Sequence, residues 1–216
     1  STTQGALELI AQLMNWLALD RGGHLAASFG RSDLAERWAK SAAEVHADIC
    51  AHGMDSQQRH FVSIYGEERP DASLLLLPTV GFIPDDDPRL AATVDWVRRE
   101  LASGPFVYRY HDADGVGGPE GAFVLCGFWL VEALALLGRL DEAREIFVAH
   151  ADATNHVGLL AEEILPSDRT LLGDFPQAFS HLGLINAALR IDLALRLRDE
   201  GSSRAPHLVV SITRRP

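Results

Sequence analysis

Apolar residues recur at three- and four-residue spacing along most of this chain, which is the period of a helix face rather than of a strand. Leu7, Ile10, Leu13, Met14 and Leu17 form the first such run, with Gly22-Gly23 as its expected end. Ser32 is placed to cap a second helix through Leu34, Trp38, Val45 and Ile49, which Gly53 should stop. Phe61 to Tyr65 reads as a short extended piece. Asp71 should cap a short helix over 72–77, ended by Pro78. Asp86-Asp87-Pro88 is a strong helix start, because proline at the first helical position lacks only an N–H that would have no partner there. That helix continues through Leu90, Val94, Val97 and Leu101. Phe106 to Tyr110 reads as a short strand, and His111 to Pro119 as a glycine-rich loop. From Glu120 an almost wholly apolar helix is expected to Leu137, and a helix hydrophobic nearly all round should be buried. Leu140 to His150 and Gln177 to Arg198 are further helices, and the tail from Gly201 to Pro216 is weak in pattern.

The helices thus come in sequential pairs, and the longer loops carry the unusual residues. Paired helices without an obvious linker fit a bundle, a helical solenoid or an α/α toroid. The segment Gly138 to Phe147 looks like a tetratricopeptide helix, but such an array repeats about every 34 residues and the pattern does not recur. A non-catalytic helical-repeat interaction protein is therefore the alternative reading.

Composition narrows the partners. With 216 residues, 47% of them hydrophobic and 23% charged, the chain can bury a sizeable core as one domain or part of one. A net charge of -11 and a pI near 5.2 argue against nucleic acid and against an anionic membrane surface. The most apolar run, Ala122 to Leu137, contains Glu132 and is shorter than the roughly 20 residues of a membrane span. The start shows no signal-peptide pattern, and Ser1 in place of Met suggests a processed, trimmed or partial chain. Cys50 and Cys126 are too few for a disulfide framework or a zinc cage, so a reducing, cytoplasmic compartment is expected. Homo-oligomerisation is left open.

The candidate chemistry sits in Gly158 to His181. Glu162 and Glu163 follow the apolar run Val157 to Ala161, and a polar turn, Gly173 and Asp174-Phe175-Pro176-Gln177 come after them. A carboxylate held beside apolar residues is the kind of group hydrolases use to move a proton. The plainer reading is a solvated pair among 30 acids. Arg109, at a strand end before a glycine loop, is either a planar donor fork for hydroxyls or an ion pair with Asp112 or Asp114. Tyr110 and Trp129 could stack on a ring, although Trp129 reads more readily as core. Glu120 is either a substrate contact or a helix-start carboxylate favoured by the helix dipole. Glu163 could hold a sugar hydroxyl or a neighbouring loop. Gln177 and His181 share a helix face and look either into a pocket or into the core. The histidines show no metal-ligand spacing with the acids, and Gly115-Val116-Gly117-Gly118 lacks the strand and helix context of a nucleotide fingerprint.

Several blocks, in order, resemble the glucoamylase-like glycoside hydrolases of family 15, which include glucoamylases, glucodextranases and bacterial trehalases. They are Leu13 to Arg21, Asp71 to Pro78 with Gly81-Phe82 and Asp87-Pro88-Arg89, Tyr108-Arg109-Tyr110 with Glu120 to Phe123, Phe128 to Leu134, Gly158 to Glu163 and Gly173 to His181. The resemblance implies an all-α fold, an (α/α)6 toroid that is incomplete here. Residues 1–200 would be part of one catalytic domain and 201–216 a tail. It also implies an inverting glycosidase without cofactor or metal, acting on a small α-glucoside, trehalose first and maltooligosaccharides second. Glu162 would be the general base, and Arg109, Tyr110, Glu120 and Glu163 would bind substrate. The general acid is expected upstream of Ser1, since no matching acidic motif lies within the chain. Asp174 stands where the family usually has Asn.

Overall fold

The structure, a computed structural model, describes residues 8–111 and 120–199. Leu7, the glycine-rich loop at 112–119 with Asp112 and Asp114, and the tail from 201 lie outside the described residues.

The first two helices, α1 (Leu9–Ser28) and α2 (Ser32–His52), form a closely packed hairpin. α1 does not end at Gly22-Gly23 but runs through both. A Cβ at Gly22 would stand 3.2 Å from Trp38 Cε3, and one at Gly23 would stand 3.6 Å from the Ala35 carbonyl oxygen. The pair is there to let α2 approach, and that packing outweighs the roughly 1 kcal/mol of helix propensity lost at each glycine. α2 stops at Gly53 as its sequence predicts, while Ser32 is its first helical residue and Arg31 the cap position.

Asp71 caps as expected: its Oδ1 accepts from the Ser73 N–H at 2.7 Å. The 3₁₀ turn it heads, Ala72–Leu75, passes into α3 (Leu76–Val80). Pro78 does not stop α3, because it lies in the first turn, where an N–H has no partner to lose; Gly81, at φ 70°, ends the helix instead. α4 (Pro88–Leu101) starts as the Asp87-Pro88 pair predicts, with Asp87 accepting from the Arg89 N–H at 2.9 Å.

The extended segments are shorter than the sequence pattern suggests. Within Phe106 to Tyr110, Phe106–Val107 (β2) pairs with β1 (Ala102–Ser103), and Phe61 to Tyr65 makes isolated bridges, Phe61 with Met54 and Ile64 with Glu8 and Glu67. The apolar helix begins at Val124, not at Glu120, because Ala122–Phe123 (β3) is drawn into a small sheet with β4 (Glu163–Ile164) and β5 (Leu171–Leu172). Gly121 permits this approach, since a Cβ there would come within 2.8 Å of Glu163 Cβ. The helix α5 (Val124–Leu136) is buried on nearly every side, as its composition predicts. It packs against α3, α4, α6 (Leu140–Ala151) and α7 (Ala178–Asp199). The starts of α1, the 3₁₀ turn, α5 and α7 gather around Arg109.

α7 buries Ser180, Gly183, Ala187, Arg190 and Ile191 and leaves a second apolar row, Phe179, Leu182, Ile185 and Leu189, more than half exposed. By length and composition alone α7 could cross a membrane. Its buried Arg190 and its packing on α5 and α6 are those of an inner helix in a helical ring.

Two buried titratable groups tie stability to pH in opposite senses. Burial pushes the Glu132 carboxyl up to about 6, against the pull of Arg190. Burial pushes the His150 imidazole down to about 4. Folded Glu132 holds its proton more tightly than the unfolded chain, so its contribution of ~2 kcal/mol is present below pH 4.5 and lost as pH rises to 6. His150 resists protonation when folded, so its contribution of ~3 kcal/mol is present above pH 6.5 and lost as pH falls to 4. Between pH 4.5 and 6 the two slopes oppose. Glu132→Gln should therefore uncover the His150 slope, a loss of ~1.4 kcal/mol per unit of acidification. Urea midpoints at both ends of that window measure it, and a slope equal to that of the unaltered protein would refute the Glu132 shift.

Candidate active site

Glu162 occupies the turn between Ala161 and β4, and neighbouring backbone holds it from two directions. Its N–H donates to the Asp174 carbonyl at 2.9 Å, and its carbonyl accepts from the Val124 N–H at 3.0 Å. The Asp174 N–H donates to Glu162 Oε2 at 3.0 Å, while Oε1 takes no hydrogen bond among the described residues. Gly173, at φ 70°, lies flat against this carboxylate: a Cβ there would come to 2.6 Å from Oε2. A side chain at that position would push the carboxylate away, which explains the glycine better than turn geometry alone.

Glu162 opens onto a cavity of about 120 Å³ whose walls include Arg109, Phe123, Trp129, Gln177 and Phe179. Arg109 is tied by its Nε to Asp71 Oδ1 at 2.9 Å, the same oxygen that caps the 3₁₀ turn; the expected partners Asp112 and Asp114 lie outside the described residues. Its guanidinium carbon lies 5.7 Å from the centre of the Trp129 ring. The Nη donors of Arg109 make no hydrogen bond among the described residues. The cavity therefore offers a carboxylate with one open oxygen, a planar donor fork and an indole face, which together suit a polyhydroxylated ring. Cys126 also touches it, and burial pushes that thiol up, so it is neutral and serves as a small wall residue.

The other predicted residues divide. Tyr110 faces a separate cavity of about 340 Å³ on the far side of Arg109, together with Glu8, Ser63, Arg69 and Asp71. Glu163 Oε2 accepts from the Gly121 N–H at 3.0 Å, a contact to the neighbouring loop, and the residue lines neither of these two cavities. Glu120 is exposed and lines neither of these two cavities; it does not open α5, which begins four residues later. Trp129, read as core, is only half-buried and walls the Glu162 cavity, because β3 turns the start of α5 toward it. Gln177 also lines the cavity and caps α7, its Oε1 accepting from the Phe179 N–H at 3.2 Å. Asp71 is the residue whose place here the sequence reading missed. Its capping role was legible, but its hold on Arg109 spans 38 positions. Among the described residues no three His, Cys, Asp or Glu side chains come together as a metal site.

Helix pairs whose inner members start around one carboxylate and one guanidinium define part of an (α/α)6 barrel, as the resemblance implied. The chain belongs to Glycosyl hydrolases family 15, with residues 2–189 matching that family. It is 42% identical over 196 residues to a trehalase of Mycobacterium tuberculosis (strain ATCC 25618 / H37Rv), covering 89% of this chain and 28% of that protein. It is 36% identical over 189 residues to a trehalase of Thermoplasma volcanium (strain ATCC 51530 / DSM 4299 / JCM 9571 / NBRC 15438 / GSS1), covering 87% and 30%. The chain thus spans under a third of these relatives. A wild-type glycosidase structure shares the fold at TM-score 0.72 and 22% identity, over 86% of this chain and 52% of that one. A bacterial glucoamylase complexed with acarbose shares it at TM-score 0.71 and 15% identity, over 87% and 34%.

Proposed function

We propose that this chain is the base-bearing part of an inverting glycoside hydrolase that cleaves the α-glucosidic bond of a small α-glucoside. The observation that carries the reading is the state of Glu162: one oxygen is fixed by the Asp174 N–H, the other takes no hydrogen bond among the described residues, and the residue lines a cavity shared with Arg109 and Trp129. Trehalose is the first candidate substrate, supported by relatives named as trehalases; maltooligosaccharides are the second.

In this mechanism a water between Glu162 Oε1 and the anomeric carbon gives a proton to the carboxylate as its oxygen attacks. The bond to the leaving oxygen breaks on the opposite face, where an acid supplies a proton. Such a pair of carboxyls stands about 6.5–9.5 Å apart, leaving room for the water. The acid is proposed to lie upstream of Ser1, in a part of the barrel that would also cover the exposed apolar row of α7. Arg109 orients hydroxyls and Trp129 supports the ring face. No step requires a metal or a cofactor.

Proton NMR of the protein carrying the whole barrel, mixed with trehalose or maltose, tests the reading. β-Glucose should appear before α-glucose, and the faster substrate names the specificity. Initial α-glucose would overturn inversion. No glucose from a well-folded protein would move the case to another glycoside or to the non-catalytic scaffold.

A further inference from the structure

The backbone that leads into Glu162 is tied to the first turn of α7 by three residues, of which Gln177 and Ser180 also line the cavity and His181 does not. The Leu160 N–H donates to His181 Nε2 at 3.3 Å. The Leu160 carbonyl accepts from the Gln177 N–H at 2.9 Å. The Ala161 carbonyl accepts from the hydroxyl of Ser180, a residue only 1% exposed, at 2.7 Å. His181 Nδ1 lies 2.7 Å from the Gln177 carbonyl oxygen. A carbonyl can only accept, so Nδ1 carries the proton and Nε2 turns its lone pair to Leu160. The neutral ring thus joins two backbone groups 17 residues apart, one leading to Glu162 and one on Gln177, whose side chain lines the same cavity.

We propose that His181 is a positioning residue for the Glu162 base: its neutral imidazole latches the Leu160 peptide to α7 and sets where the carboxylate stands over the cavity. This rests on Glu162 acting as the base. Leu160 is fully buried, so its N–H has no water to replace His181. An N–H left without an acceptor in such a place draws the peptide toward another partner. Glu162 lies two residues on, with its own N–H bonded to the Asp174 carbonyl and its own carbonyl to the Val124 N–H. A tilt at Leu160 strains these two bonds and turns the Glu162 side chain between them, while Arg109 and Trp129, on other elements, keep their places in the cavity wall. Misplacement of a reacting group by about 1 Å lowers turnover by roughly 100-fold.

The test uses the protein with the whole barrel and the faster of trehalose and maltose. His181→Leu, which has no acceptor, should lower kcat by about 10- to 100-fold with KM changed less than about threefold, because Arg109 and Trp129 still bind the ring. His181→Gln, whose side-chain oxygen reaches the place of Nε2, should restore kcat to within about threefold of the unaltered protein. If His181→Leu does not fold, His181→Asn replaces it, since its shorter amide falls short of Leu160, with the same expected loss. A merely structural histidine would lower Tm in all these variants while kcat per folded molecule stayed unchanged, and that result overturns the proposal. Glu162→Gln belongs in the same series. If it retains activity, the base assignment fails and the latch with it. If it is inactive while His181→Leu keeps its kcat, only the latch fails.

Discussion

Glu162→Gln, in the protein carrying the whole barrel, should lower kcat by about 1,000-fold while leaving Tm within a few degrees, the scale expected when a general base is removed. The amide has the shape of the carboxylate, and its oxygen can still accept from the Asp174 N–H, so the backbone around 161–164 and the contact with Gly173 survive. What is lost is the ability to take a proton from water. KM should change little, because Arg109, Trp129 and Gln177 remain in the cavity wall. Glu163→Gln is the internal control. It alters the adjacent carboxyl, which holds the Gly121 N–H rather than facing the cavity, and should cost less than about tenfold in kcat. Kinetics and thermal melts of the two variants side by side decide the matter. A Glu162→Gln protein within tenfold of the original would remove Glu162 as the base. Equal losses in both variants would point to the acidic pair as a structural unit.

Gly127→Ala should destabilise the fold by about 3 kcal/mol or more, the upper range for forcing atoms into a filled core. On helix propensity alone the sign would be the reverse, since alanine is favoured over glycine by about 1 kcal/mol inside a helix. Packing reverses it. A Cβ at Gly127 on α5 would stand 1.9 Å from His150 Nε2 and 2.3 Å from its Cε1. The imidazole has little freedom to move, because its Nδ1 is bonded to the Ile146 carbonyl at 2.9 Å and the Phe106 and Phe128 rings lie 5.0 and 5.2 Å from it. Either α5 and α6 separate, or the ring abandons its place. Combining Gly127→Ala with His150→Ala removes the obstacle, so the double variant should be about 1–3 kcal/mol more stable than the two single losses predict. Urea denaturation of the four proteins measures this coupling. A cost below 1 kcal/mol for Gly127→Ala would show that the helices have slack.

The local signals that proved dependable were those whose cause lies within a few residues. Asp87 and Pro88 start α4, and the unbroken apolar composition of α5 buries it, because capping and hydrophobicity act on the nearest turn. The failures share another cause. Gly22-Gly23 looked like a stop and is a packing face for Trp38, and Glu120 looked like a helix start until β3 claimed the next residues. In both places a distant segment decided the local structure.

The same division runs through the site. By itself the sequence determined that the chain is helical and paired, that it carries the ordered blocks of family 15, and that Glu162 and Arg109 are its reactive candidates. Tertiary structure alone decided that these two share one cavity, that Trp129 walls it, and that Tyr110 faces a different hollow beyond Arg109. It also decided that Glu163 serves a loop and that Gly173 exists to leave room for the Glu162 carboxylate. Side-chain chemistry is a property of each residue and can be read along the chain. Which groups meet is set by contacts between residues tens of positions apart, such as Asp71 with Arg109 and Leu160 with His181, and those distances exist only after the helices have packed.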